Sequence, residues 1–232
     1  LILNLMNKLG VLNERDIWKH PSVIRKFGRG ITYNILKKNY KTDGPADTTA
    51  LLSNHNIDGV LESYVVKSPE LYGIRFLHLP FQMIDFWERK TDLAKVDFVE
   101  ISQKYDSVGV VLNSDYSYGP GKHWFAIYVD LSVLRDQNKL VLEYFNSSGR
   151  MPYEQIIEYY EETKKIYMTK YPKIDTTLKI VVQERIQESK TECGMFSLIF
   201  IIGRIEGKSA EFFSKKNITD ADMIRYRNII FV

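Results

Sequence analysis

Four residues of this chain have the types and spacing of a nucleophilic acyl-transfer site: His123, Asn146, Gln187 and Cys193. Cys193 is the only cysteine in 232 residues, and it stands where the polar run ESKTE gives way to the apolar run GMFSLIFIIG. The thiolate, not the thiol, is the nucleophile, and a free cysteine has a pKa of about 8.5. Unpaired N–H groups at a helix start and a neighbouring imidazolium both favour the anion, so this position predicts a thiol pKa well below that value. His123 is the base in this reading, placed where Gly-Pro-Gly-Lys enters a strand. Asn146 closes the run KLVLEYFN and could accept the second ring N–H of His123, holding the ring toward the sulfur. Gln187 lies six residues before Cys193, where its NH₂ could face an oxyanion beside the backbone N–H of Cys193.

The elements that must position these groups can be read from the patterning. Residues 96–101, 108–113, 124–131, 140–145 and 177–183 are rich in Val, Ile, Tyr and Phe and predict strands. Residues 76–86 read as apolar and partly extended. Residues 153–171 predict a long amphipathic helix, and 194–205 an apolar one. A last helix follows Thr219, a good cap, to about residue 229. Asp58 reads as the cap of a helix over 59–66. All of His123, Asn146 and Cys193 then sit at element ends, where side chains can converge beside a rigid sheet. The order of helix, strands, helix, strand, helix predicts an α+β domain with a mixed sheet.

Ahead of this core, residues 1–47 predict short helices over 1–9, 15–20 and 22–27, the last ended by Gly28 and Gly30. KTDGPAD at 41–47 has turn chemistry without an apolar anchor and reads as a linker. The expected domains are therefore a helical arm, 1–47, and a core, 48–232. The arm carries +5 of formal charge against −2 for the rest. Such a basic segment could touch nucleic acid or an acidic partner, but a solvated helix face is the plainer reading. One cysteine excludes an internal disulfide and a thiolate zinc site, and fits a reducing compartment. No run of about 18 apolar residues predicts a membrane span. His20, His55 and His78 lack metal-ligand spacing with one another, so no metal or cofactor is expected.

GKHW at 121–124, EYFNSSG at 143–149 and TECG at 191–194 carry a resemblance, together with the six-residue Gln-to-Cys spacing. LLSNHNID at 51–58, ITDADM at 218–223 and HPSV at 20–23 add to it. The chain resembles the adenovirus-protease and SUMO-protease clan, especially the polyprotein-processing cysteine proteases of large DNA viruses. The resemblance implies a papain-like cysteine protease core with circularly permuted strand order. It assigns His123 as base, Cys193 as nucleophile, Gln187 as oxyanion donor and Asn146 as orienter, where cellular members usually have Asp. It also implies that Trp124 walls a narrow substrate cleft, against the plain reading of a strand-core residue.

What the resemblance implies further is cleavage after Gly-Gly in viral structural polyproteins during virion maturation. The setting would be assembly sites in the host cytoplasm, and the virion. Glycines, lacking Cβ, pass a slot too tight for other residues. Processing of ubiquitin-like or SUMO-like modifiers shares that chemistry but needs a surface gripping a folded modifier. An acyltransferase would use the same thioester, and Asn146 counts against it because such relatives generally carry an acidic orienter. A non-catalytic virion protein does not need a complete four-part site.

Overall fold

The computed structural model describes residues 2–11, 17, 18, 20–32, 35, 42–46, 49–214 and 217–231. Much of the expected arm, including 12–16 and 36–41, lies outside the described residues. Helices α1 (Ile2–Leu9) and α2 (Pro21–Phe27) are followed by α3 (Asn54–Leu71). Strands β1 (Phe76–His78) and β2 (Gln82–Met83) lead through a 3₁₀ turn to the short helices α4 (Asp92–Lys95) and α5 (Phe98–Ser102). Then come β3 (Ser107–Asn113), β4 (Trp124–Asp130), α6 (Leu131–Gln137) and β5 (Lys139–Phe145). The chain continues with α7 (Glu154–Lys170), β6 (Asp175–Ile180), α8 (Cys193–Ile205), α9 (Ala210–Ser214) and α10 (Asp220–Ile230).

The sheet runs β1-β3-β4-β5-β6, with β2 also on β3. β3, β4 and β5 are antiparallel neighbours, while β1, β2 and β6 pair in parallel, so the expected mixed sheet is present. Side chains alternate between two cores because successive Cβ atoms of a strand point to opposite faces. Val108, Val110, Leu112, Phe125, Ile127 and Val129 pack on one face. Val111, Trp124, Ala126, Tyr128 and Phe145 pack on the other, against α3 and α8. Helices thus cover both faces, as an α+β layer architecture requires.

Helix α8 is apolar nearly all round, the mark of a helix enclosed on every side. Every residue in it except Arg204 is buried. Phe200 stacks on Phe145 of β5 with centroids 4.5 Å apart, fixing the helix against the sheet. The first residue of this locked helix is Cys193.

Local chemistry overrode three sequence expectations. The apolar run at 96–101 forms α5 instead of a strand, because the Asp97 carboxylate accepts the N–H groups of Val99 and Glu100 and caps a helix. Helix α3 begins earlier than expected, capped by Ser53 and Asn56 in a reciprocal box. Asp58 is therefore inside the helix, and its carboxylate accepts the Phe81 N–H at 2.8 Å instead of capping. The strand expected at 177–183 is displaced to Asp175–Ile180, in register with β5. Thr219 does cap α10, with Asp222 completing the box.

Candidate active site

His123 precedes the first residue of β4, and Asn146 follows the last residue of β5. These strands are antiparallel neighbours, so their facing ends bring the two side chains together. Nε2 of His123 lies 2.8 Å from Oδ1 of Asn146. The orientation of this amide follows from its other partners. Oδ1 accepts the Ser148 backbone N–H, which can only donate, and the Ser148 hydroxyl. Nδ2 donates to the Tyr144 hydroxyl at 2.9 Å. An amide oxygen only accepts, so Nε2 of His123 carries the hydrogen and the neutral ring keeps a bare Nδ1.

Cys193 is 2 % exposed. Cys193 opens α8, and the backbone N–H groups of Trp124, Gly194 and Cys193 itself favour its anion. Trp124, the residue after His123, borders the same cleft as Cys193, so this cleft adjoins the strand end that carries the imidazole. Gly194 allows the approach: a Cβ there would lie 3.2 Å from both the Trp124 ring and Leu52. The indole N–H of Trp124 donates to the Leu52 carbonyl, and its ring meets Phe81 edge-on at 6.2 Å. Trp124 is thus both a buried core residue and a wall of the cleft that contains Cys193. This cleft holds about 400 Å³ and is bordered by Leu51, Met83, Asn113 and the Gly119–Pro120–Gly121 turn.

Gln187 is buried and tied to the residue that follows Asn146. Its Oε1 accepts the Ser147 hydroxyl at 2.6 Å, and its Nε2 donates to the Ser189 carbonyl at 2.8 Å. The 184–189 loop is held from both sides. The N–H groups of Ile186 and Gln187 donate to the Ser147 carbonyl, while those of Glu188 and Ser189 donate to the Asp220 carboxylate at the start of α10. Gly149, at φ +70°, lets the turn pass so close that a Cβ would lie 2.5 Å from the Arg185 nitrogen. One connected chain therefore runs Trp124, His123, Asn146, Ser147, Gln187 through covalent neighbours and hydrogen bonds.

The electrostatics reverse one expectation. Burial pushes the Cys193 thiol above its ordinary value, the Glu192 charge adds to the rise, and the three N–H groups offset only part of it. Burial also lowers the His123 pKa, against the Asn146 hydrogen bond that raises it and with the Arg150 charge that lowers it further. Both shifts favour the neutral forms, a thiol and an imidazole, over the expected ion pair. Cys193 opens α8 but is almost wholly buried, and there desolvation outweighs the N–H groups of the helix start.

Two features escaped the sequence reading. Ser147 looked like a turn residue, and only the fold shows its hydroxyl on Gln187. Glu192, next to the thiol, is paired with a fully buried Arg227 from α10 at 2.9 Å. Spacing offered a signal here: Arg227 lies four residues from both Met223 and Phe231, on the inward stripe of α10. No group of three or more His, Cys, Asp or Glu side chains among the described residues could hold a metal ion.

Residues 86–232 match the model of the Ulp1 protease family, C-terminal catalytic domain. The chain belongs to this family. It is a cysteine protease, as the motif resemblance implied. Cysteine protease S273R of African swine fever virus (isolate Tick/Malawi/Lil 20-1/1983) is 33% identical over 96% of this chain and 84% of its own length. The protein named SUMO-1 cysteine protease S273R from isolate Tick/South Africa/Pretoriuskop Pr4/1996 is 32% identical over the same shares. The crystal structure of the African swine fever virus pS273R protease superposes with a TM-score of 0.69 and 30% identity, covering 100% of this chain and 86% of that one. This Ulp1-family protease therefore shares with viral proteases both sequence and the fold of a mixed sheet flanked by helices.

Proposed function

We propose that this Ulp1-family protease is an endopeptidase that cleaves after Gly-Gly in viral structural polyproteins, with Cys193 as nucleophile, His123 as base, Asn146 as orienter and Gln187 as oxyanion donor. The observation that carries the reading is the His123 ring fixed by Asn146 at 2.8 Å, at the strand end whose next residue, Trp124, shares a cleft with Cys193. His123 Nδ1 takes the thiol proton as Sγ attacks the peptide carbonyl, so neither charge exists before substrate arrives. The oxyanion meets the Cys193 N–H and the spare Nε2 hydrogen of Gln187. The imidazolium then protonates the leaving amine, a thioester remains, and water hydrolyses it. A cleft walled by Trp124, Leu52 and Phe81 favours residues without Cβ next to the cut.

The test is cleavage of peptide pairs differing only in Gly-Gly against Gly-Ala or Ala-Gly before the scissile bond. Gly-Gly should be preferred by at least tenfold in kcat/KM, and equal rates would overturn the specificity. The pH profile follows from the burial of the pair. His123 must be neutral to accept the proton, and its pKa lies below the ordinary 6.5, so activity should persist to below that pH. The alkaline limb should lie above that of a free thiol, because burial raises the Cys193 pKa. An acid limb above pH 7 would contradict a neutral buried base.

A further inference from the structure

We propose that Ser147 is a positioning residue that holds the Gln187 carboxamide so that an N–H, not the carbonyl oxygen, faces the reacting carbonyl. The inference rests on the reading of Gln187 as oxyanion donor. A carboxamide can turn over about its last bond, exchanging an attractive N–H for a repulsive oxygen at nearly the same place. Two partners prevent this here. The Ser189 carbonyl can only accept, so the group 2.8 Å from it must be Nε2. The group facing the Ser147 hydroxyl at 2.6 Å is then Oε1, and the hydroxyl donates to it. Of the two Nε2 hydrogens, one is committed to Ser189, and no acceptor among the described residues takes the other. Ser147 is 1 % exposed and Gln187 5 %, so water does not substitute readily for this bond. The Ser147 carbonyl separately holds the backbone of the 184–189 loop. Removing only the hydroxyl therefore leaves the carboxamide held by the Ser189 carbonyl alone, with the loop still anchored.

The experiment compares Ser147→Ala, Ser147→Thr, Gln187→Ala and the Ser147→Ala/Gln187→Ala double variant in the full chain. Three measurements are made on each: turnover of a Gly-Gly peptide, thermal unfolding, and alkylation of Cys193 by iodoacetamide. Alkylation is a displacement without an oxyanion, so it reports the thiol and His123 but not Gln187. Gln187→Ala should lower kcat by about 10² to 10³ with little change in KM, the usual size of one lost oxyanion donor. Ser147→Ala should lower kcat about tenfold, the size of one hydrogen bond, with KM and alkylation unchanged. Ser147→Thr keeps the hydroxyl and should recover most of the loss. In the Gln187→Ala background, Ser147→Ala should cost nothing more. Unchanged kcat in Ser147→Ala beside a full loss in Gln187→Ala would overturn the positioning role alone. Equal losses of turnover and alkylation in Ser147→Ala, or a further tenfold loss in the double variant, would also overturn it by placing Ser147 elsewhere. A Gln187→Ala loss below threefold would remove the oxyanion reading, and this inference with it.

Discussion

Cys193→Ala and Cys193→Ser are expected to keep the fold and lose cleavage of Gly-Gly peptides by a factor of about 10⁴ or more, as removal of a catalytic nucleophile does elsewhere. Substitution takes away the attacking atom, and with one cysteine in the chain no second thiol can replace it. Serine leaves a hydroxyl in the same place, but its proton is far harder for His123 to remove. The fold should tolerate both changes, because α8 is held by Phe196, Phe200 and the rest of its buried face rather than by its first residue. Thermal unfolding within a few degrees of the parent, together with absent turnover, is the expected pair of results. Turnover above a few per cent in either variant would end the assignment.

Arg227→Ala is expected to destabilise the protein by about 3–5 kcal/mol, the cost of breaking a buried ion pair from one side. The Arg227 guanidinium meets both oxygens of Glu192 and also donates to the Pro45 and Ala50 carbonyls. Both side chains are shut off from water, at 0% and 1% exposure. Removing Arg227 leaves the Glu192 carboxylate uncompensated beside Cys193 and unties Pro45 and Ala50 from α10. A charge-free pair, Arg227→Met with Glu192→Gln, should recover most of the loss. Urea unfolding of the single and double variants measures both effects. A loss below about 1 kcal/mol in Arg227→Ala would mean that water or another cation reaches Glu192, as at an exposed pair.

The candidate site was legible in the sequence as polar groups at element ends, and the fold places His123, Asn146 and Cys193 at such ends. His123 before an apolar strand rich in aromatics, Asn146 before Ser-Ser-Gly, and Cys193 before an apolar helix each announce a polar group at the rim of a core. Strands β3, β4 and β5 were legible for the same reason, since they are nearly continuous apolar runs whose ends are marked by polar or turn residues. What could not be read depends on partners distant in the chain. Asp97 turns an apolar run into a helix, and Asp58 spends its carboxylate on Phe81 instead of a cap. The pairing of Glu192 with Arg227 spans 35 positions, and that of Ser147 with Gln187 spans 40. The thiol pKa depends on how deeply the helix start is covered, which no local pattern encodes.

Acylation of Cys193 during turnover tests the central claim most directly. A peptide ending in a Gly-Gly nitrophenyl ester releases nitrophenol on acylation, and acid quenching preserves any thioester for intact-mass analysis. The account predicts a burst of nitrophenol equal to the enzyme concentration and one acyl group per chain, located on Cys193 and removed by hydroxylamine at neutral pH. His123→Ala should slow the burst at least tenfold at pH 7, because the proton on a buried thiol then has no acceptor. Steady hydrolysis of the ester without any acylated protein, or an acyl group on a residue other than Cys193, would contradict it.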